Sequence, residues 1–226
     1  LNFVDVDAIE DFYRSNSSTA GPHLMVGFNR RFSPQIQKMK QLLATVKQPK
    51  TFIMTMNAGA IPVDHWTQDP EIGGGRIIGE ACHFIDLMRF LAGSKIVNYQ
   101  VQGMGTQFDH DLVEDKACIT LAFEDGSFGT IFYLANGSNA FPKERIEVFT
   151  GGKVLQLDNF RKMVGYGWSG FKKMNLWRQD KGQENCAQAF VEAIEKGENT
   201  PIPLEEILEV ARVTIQAAQL LREKQA

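Results

Sequence analysis

Hydrophobic positions change their period several times along the chain, and each change marks an element. From Asp5 to Arg14, the residues Ile9, Phe12 and Tyr13 share one side of a short helix that Asp5 or Asp7 can cap, and Ser15 to Pro22 breaks it. His23 to Phe28 is an apolar run of strand length between turn signals, the kind that lies buried in a parallel sheet. Ser33-Pro34 then opens a helix predicted to reach about Thr45, with Ile36, Met39, Leu42 and Leu43 turned inward. Thr51 to Met56 alternates as a strand. Asn57 to Ile72, interrupted by Pro62 and Pro70, reads as a loop carrying His65-Trp66, and a loop of that length inside a compact domain is usually functional or mobile.

Beyond residue 95 a twofold alternation dominates. Ile96 to Gln107, Lys116 to Phe123 and Phe128 to Leu134 are predicted strands, the last two joined by the hairpin turn Asp125-Gly126. Glu144 to Phe149 and Lys153 to Leu157 pair across Thr150-Gly151-Gly152. Asp158 to Arg178 holds Tyr166, Trp168, Phe171 and Trp177 without a clear period and receives no assignment. Helical spacing returns in Gln183 to Lys196, with Ala187, Phe190, Val191 and Ile194 on one face and Gly197 as C-cap. It returns again from Pro203 to about Glu223, with Ile207, Val210, Ala211, Ile215 and Ala218 inward. The pattern predicts an α+β fold built on an antiparallel sheet. Because Phe128 to Ala135 is apolar on both faces and helices can cover only one, the other face is expected to meet a second subunit.

Composition narrows this picture only a little. The 226 residues are 43% hydrophobic and 23% charged, ordinary values for one large globular domain or one and a half smaller ones. A net charge of -3 argues against nucleic acid or an anionic membrane as the principal partner, and no apolar run approaches a membrane span. Cys82, Cys118 and Cys186 are odd in number and far apart, so neither a disulfide framework nor a thiolate zinc site is expected, and a reducing cytoplasm fits. The opening Leu1-Asn2-Phe3-Val4 reads as the interior of a longer sequence.

Candidate chemistry gathers after three glycines, in Gly73-Gly74-Gly75-Arg76-Ile77-Ile78-Gly79-Glu80-Ala81-Cys82-His83. On a regular helix, at about 100° per residue, Arg76, Glu80 and His83 project within roughly 60° of one another. An imidazole whose ordinary pKa lies nearest neutrality suits proton transfer, although a polar stripe is more often the solvated side of an amphipathic helix. Gly73-x-Gly75-x-x-x-Gly79 does not match the dinucleotide fingerprint, no phosphate loop or nucleophile elbow occurs, and His65, His83, Glu80 and Asp64 lack metal-ligand spacing, so no metal is expected.

These residues do resemble a family. Gly73 to Leu87, preceded by Asn57-x-Gly59 and His65-Trp66, is similar to the C-terminal domain of the Gfo/Idh/MocA oxidoreductases, and the likeness runs from about His23 through Val26-Gly27-Phe28-Asn29-Arg30-Arg31-Phe32, the hairpins and Pro201-Ile202-Pro203 to the last helix. The form of the motif is most similar to members attached to a zinc-type alcohol dehydrogenase module in surface polysaccharide pathways. The resemblance implies an open, mostly antiparallel sheet with helices on one face over residues 33–226, the substrate-binding and oligomerisation domain. Residues 1–32 would be the remnant helix and strand that end a Rossmann domain. It implies NAD or NADP, bound mainly by a domain preceding Leu1, a sugar, nucleotide sugar or cyclitol as substrate, and homo-oligomers through the open sheet face.

Within that frame His83 is the expected acid or base on a substrate hydroxyl, and Glu80 orients the ring or accepts hydrogen bonds from other hydroxyls. Arg76, Asn57, His65 and Trp66 are candidate substrate contacts, Trp66 by stacking on the apolar face of a sugar. Arg30 and Arg31, at the expected strand end, are candidate cofactor contacts. The sequence departs from the family where many members carry Asp and this chain has Gly79; the carboxylate one place on, at Glu80, would point about 100° away. Without the family's lysine motif and glycine fingerprint, the chain alone is expected to be inactive. The alternative is a non-catalytic binding or oligomerisation module that uses the exposed sheet face.

Overall fold

A computed structural model describes residues 1–16, 22–62, 64–69, 71–104 and 115–223 of the chain. Five helices, α1 (Phe3–Ser15), α2 (Pro34–Leu43), α3 (Cys82–Ala92), α4 (Gln183–Lys196) and α5 (Leu204–Glu223), accompany eight strands. The strands are β1 (Thr51–Asn57), β2 (Ile96–Gly103), β3 (Lys116–Phe123), β4 (Phe128–Leu134), β5 (Glu144–Thr150), β6 (Lys153–Asp158), β7 (Lys162–Tyr166) and β8 (Lys173–Asn175). They form one sheet in the order β2-β3-β4-β1-β5-β6-β7-β8, antiparallel throughout except where β1 lies parallel to β4. The predicted α+β architecture is therefore present.

Alternation along the strands decides what each face does. Phe52, Met54 and Met56 of β1, Ile131 and Tyr133 of β4, and Ile146 and Val148 of β5 are buried, in one core with Ile36 and Met39 of α2, Phe84, Ile85 and Met88 of α3, and Val210 of α5. The intervening positions face away from the helices. Ile53, Phe128, Phe132 and Phe149 stay 38–51% exposed there, which leaves an apolar patch across the middle of the sheet.

Buried ion pairs fix the helical layer to the chain before it. Arg31, in a 3-10 turn over Asn29–Phe32, pairs with Asp86 of α3 through both Nε and Nη2, and its Nη1 reaches Glu206 of α5 at 2.9 Å. Its neighbour Arg30 holds Glu144 of β5 at 3.0 Å and stacks on Phe84. Arg89 of α3 bonds Glu209 of α5 at 3.0 Å. Each of these guanidiniums is at most 10% exposed, so the carboxylates are what make their burial tolerable.

Three expectations need correction. The apolar run His23 to Phe28 forms no strand: among the described residues nothing pairs with it, and a strand without a neighbour leaves its backbone groups to solvent. Helix α1 is capped by Asn2, whose Oδ1 accepts from the Asp5 N–H while the Asp5 carboxylate accepts from the Asn2 N–H; Val6, with Phe3, packs on Leu208 and Ile215 of α5. The side that carries Ile9 and Phe12 is not the packed one: Phe12 is 50% exposed, because the stripe that meets α5 runs through Val6. The unassigned stretch from Asp158 supplies β7 and β8, entered through a turn in which Asn159 and Phe160 take φ of +49° and +50°. Phe160 is fully buried, which holds that uncommon backbone in place, and periodicity gives no sign of it. The predicted extension of β2 to Gln107 lies outside the described residues. Among the described residues no helix is long and apolar enough to cross a membrane.

Candidate active site

The three glycines serve in two different ways. A Cβ on Gly73 would sit 2.4 Å from the Trp66 carbonyl oxygen and 2.5 Å from Thr67 Cα, so only glycine lets the two backbone segments touch. Gly74 and Gly75 take φ of +72° and +82°, turning the chain into the central helix. Their carbonyl and amide groups are anchored: Gly73 and Gly74 N–H both donate to Asp69 O at 2.9 Å, and Arg222 donates to Gly74 O at 2.8 Å. The 65–69 part of the loop is thereby folded against the start of the central helix.

That helix does not begin as a regular one. Ile77–Ala81 forms a π-helical turn, with Cys82 N–H reaching back to Ile77 O, before α3 continues. The wider turn rotates the side chains of α3 relative to those at Arg76 and Glu80. Arg76 and Glu80 still meet, Nη2 to Oε2 at 3.2 Å, as their spacing predicts. His83, expected beside them, instead sits edge-on against Phe28, with ring centroids 5.8 Å apart.

Glu80 is the best-supported carboxylate of the site. Its Oε2 accepts from the Tyr133 hydroxyl at 2.5 Å as well as from Arg76, and its Oε1 accepts from Lys143 Nζ at 3.3 Å. Burial by itself would raise its pKa, but the Tyr133 hydrogen bond and the Lys143 and Arg76 cations outweigh that and hold it below the usual carboxylate range. The group is ionised at neutral pH. Tyr133 is pushed the other way, upward, by burial and by the Glu80 charge, so it stays a donor. Arg76, 7% exposed, also donates to Gly59 O at 2.6 Å and Ala58 O at 3.3 Å, tying the loop to the helix.

Between the His65–Thr67 turn and Gly75–Glu80 lies a cleft of about 420 Å³, also bordered by Ile61. Trp66 is 61% exposed at its rim. Gly79 lines it, and a Cβ added there would meet nothing within 4 Å; its φ is ordinary, so its backbone does not require glycine and the missing side chain is open cleft. Of the expected substrate contacts, His65, Trp66 and Arg76 come together here with Glu80. Asn57 does not: it is 7% exposed and donates to Ser138 O at 2.8 Å and Phe141 O at 3.2 Å, so its amide pins the 138–141 turn and has no free donor for a sugar. Tyr133 and Lys143 were not legible as site residues, since Tyr133 occupies a core position of β4 and Lys143 comes directly after a turn.

His83 lies on the neighbouring surface, half-buried among Phe28, Arg30, Glu144 and Lys181, with Nδ1 enclosed and without a hydrogen-bond partner among the described residues. Desolvation, reinforced by the Arg30 charge and only partly countered by Glu144 and Glu80, lowers its pKa to about 4. The ring is neutral at pH 7 and able to accept a proton. The depression has a stability consequence. Above pH 6.5 neither folded nor unfolded chain protonates this ring; as pH falls towards 4 the unfolded chain takes up a proton the folded one refuses, and stability drops by up to about 3 kcal/mol. Urea unfolding at pH 7 and pH 4.5 should therefore show a smaller acid loss in His83→Gln than in the parent, and equal losses would contradict this placement.

Arg30 and Arg31 are not available as cofactor contacts. Both guanidiniums are buried against carboxylates, Arg30 on a Glu144 that Lys181 also holds at 2.5 Å and Arg31 on Asp86 and Glu206.

A model of the family described as GFO/IDH/MocA C-terminal domain matches residues 36–152. The chain is similar, at 26% identity over 213 residues, to the uncharacterized oxidoreductase YrbE of Bacillus subtilis, covering 89% of this chain and 61% of the relative. It is also 26% identical over 168 residues to the myo-inositol 2-dehydrogenase of Thermotoga maritima, covering 72% of this chain and 48% of that enzyme. The chain thus spans about half to three-fifths of the length of these curated relatives. Among solved structures, an oxidoreductase domain protein from Kribbella flavida superposes with a TM-score of 0.79 over 99% of this chain and 71% of its own, at 18% identity.

Proposed function

Because this chain belongs to the GFO/IDH/MocA C-terminal domain family, we propose that it is the substrate half of an oxidoreductase acting on a hydroxyl of a sugar, nucleotide sugar or cyclitol. The carrying observation is the cleft itself: an ionised, hydrogen-bonded Glu80 and an exposed Trp66 face border one cavity of a size that suits a small ligand. A carboxylate accepts from hydroxyl groups, and an indole face covers the C–H surface of a pyranose or cyclitol ring. A relative that is a myo-inositol 2-dehydrogenase supports the same class. Residues 33–226 are assigned to this half and residues 1–32 to the end of a nucleotide-binding half.

His83 is the proton acceptor in this reading. Once the carbinol carbon is oxidised its oxygen holds a strongly acidic proton, so even an imidazole of lowered basicity takes it. NAD or NADP would be held by chain outside these residues, and the 226 residues alone are expected to turn over nothing. The test is nicotinamide reduction by the full reading frame with myo-inositol, D-glucose and nucleotide sugars. Substrate-dependent reduction supports the reading; none with any sugar or cyclitol contradicts it.

A second role rests on a separate observation, the exposed patch of Ile53, Phe128, Phe132 and Phe149 on the uncovered sheet face. We assign it to contact with a second copy of the chain, because an apolar sheet face this central is seldom left to water. Phe132→Lys should shift sedimentation from dimer or larger species to monomer without loss of helix or sheet signal; a parent that sediments as a monomer at micromolar concentration would contradict the assignment.

A further inference from the structure

We propose that His65 is a second hydrogen-bonding anchor of the cleft, fixed as the Nε2–H tautomer, which donates to one hydroxyl oxygen of a polyol whose neighbouring hydroxyl donates to Glu80 Oε1. The inference rests on the reading of the cleft as a polyol site and adds the polarity of two of its positions.

The tautomer is set by the turn that holds the ring. His65 precedes a short 3-10 turn over Trp66–Gln68 and caps it with its own side chain: the Thr67 backbone N–H donates to His65 Nδ1 at 3.3 Å, and the Thr67 hydroxyl lies 2.8 Å from the same nitrogen. A backbone N–H can only donate, so Nδ1 is the acceptor and carries no proton. In the neutral ring the proton therefore sits on Nε2, and no hydrogen bond among the described residues uses it. His65 is exposed and lines the same cleft as Glu80.

The Glu80 side of the pair comes from counting lone pairs. Oε2 already accepts two hydrogen bonds, from Tyr133 and Arg76, whereas Oε1 accepts only one, from Lys143. A carboxylate oxygen accepts two, so one position on Oε1 remains, and it can take only a donor. His65 thus needs an acceptor and Glu80 a donor. Adjacent hydroxyls on a ring supply both, since each hydroxyl can donate or accept, while the open space over Gly79 and the Trp66 face accommodate the ring carbons.

The test uses the chain as it stands, with myo-inositol and D-glucose and their monodeoxy and monofluoro analogues as probes, binding being read by calorimetry or ligand-observed NMR. His65→Asn keeps the cap, because asparagine accepts the Thr67 N–H, but removes the distal donor. At one ring position, deoxygenation should weaken binding to the parent by about tenfold and have no effect in His65→Asn, with fluorine partly restoring the loss because it still accepts. At a neighbouring position, deoxy and fluoro analogues should lose affinity equally in the parent, whereas in Glu80→Gln, whose NH2 takes the Oε1 place because Tyr133 and Arg76 hold the carbonyl at the Oε2 place, the fluoro analogue should bind better than the deoxy one. Independently of any ligand, long-range 1H–15N spectra at pH 8 should show His65 as the Nε2–H tautomer. If polyols bind but no deoxy penalty depends on His65, or if the ring is an Nδ1–H tautomer, the inference is overturned while the polyol reading stands. If neither probe binds the parent, both fall.

Discussion

His83→Ala in the full reading frame is expected to lower kcat by about 10²- to 10⁴-fold, the usual contribution of a positioned acid or base, with KM little changed. The reason lies in where the imidazole sits. It is on the surface beside Phe28 and Arg30, outside the lining of the Glu80 cleft, and desolvation with the Arg30 charge lowers its pKa to about 4, so the ring is neutral at pH 7. A ring held by Glu80 and Trp66 has to extend past the Glu80 end of the cleft to bring its reacting hydroxyl to this imidazole, so His83 adds little to ground-state binding and acts when a proton has to leave. His83→Gln should be as slow as His83→Ala, because an amide does not accept a full proton. Glu80→Gln, by contrast, should raise KM more than it lowers kcat, since Glu80 is argued to bind hydroxyls that do not react. A variant lacking His83 that retained parent kcat would remove the acid-base assignment.

Asp86→Ala is expected to destabilise the fold by about 3–5 kcal/mol, enough to unfold many domains of this size at 37 °C. Asp86 is fully buried and takes two hydrogen bonds from Arg31, whose side chain is 4% exposed. Removing the carboxylate leaves a guanidinium in the interior with Glu206 as its one ion-pair partner among the described residues. The lower end of the range applies if Glu206 moves in, and Asp86→Asn should fall between parent and Ala. The double variant Asp86→Leu with Arg31→Met should recover much of the loss, because an apolar pair of similar volume carries no unpaired charge. Urea denaturation of the four proteins checks this, and an Asp86→Ala loss below about 1 kcal/mol would show that the pair is not buried as described.

Much of the scaffold was legible because its elements obey simple periods. β3 and β4 alternate strictly and are joined by Asp125-Gly126, where Gly126 takes a φ of +83°, and α4 stops at Gly197, again at positive φ. What escaped was set by contacts that no period encodes. The run His23–Phe28 is as apolar as a buried strand, yet strand identity requires a neighbour. Arg30 and Arg31 look like an exposed pair at a strand end, and only the fold brings Glu144 and Asp86 to them. In the site, the i,i+4 spacing of Arg76 and Glu80 carried over to the structure, but a π-helical turn between Ile77 and Ala81 redirected His83. Asn57 read as a polar residue near a cleft, whereas its amide closes a turn more than 80 residues away. The glycine triplet was recognised as a place of close approach, and the particular contact, Gly73 against Trp66 and Thr67, is what forms the cleft wall.

The central claim is that the cleft between the His65–Thr67 turn and Gly75–Glu80 receives a polyol. A 1H–15N titration of the chain with myo-inositol and D-glucose addresses it directly. Saturable shifts at Thr67, Gly75, Gly79 and Glu80, absent from the β4 and β5 residues of the uncovered sheet face, are the predicted result. Shifts confined to that sheet face, or none at millimolar polyol, would contradict it.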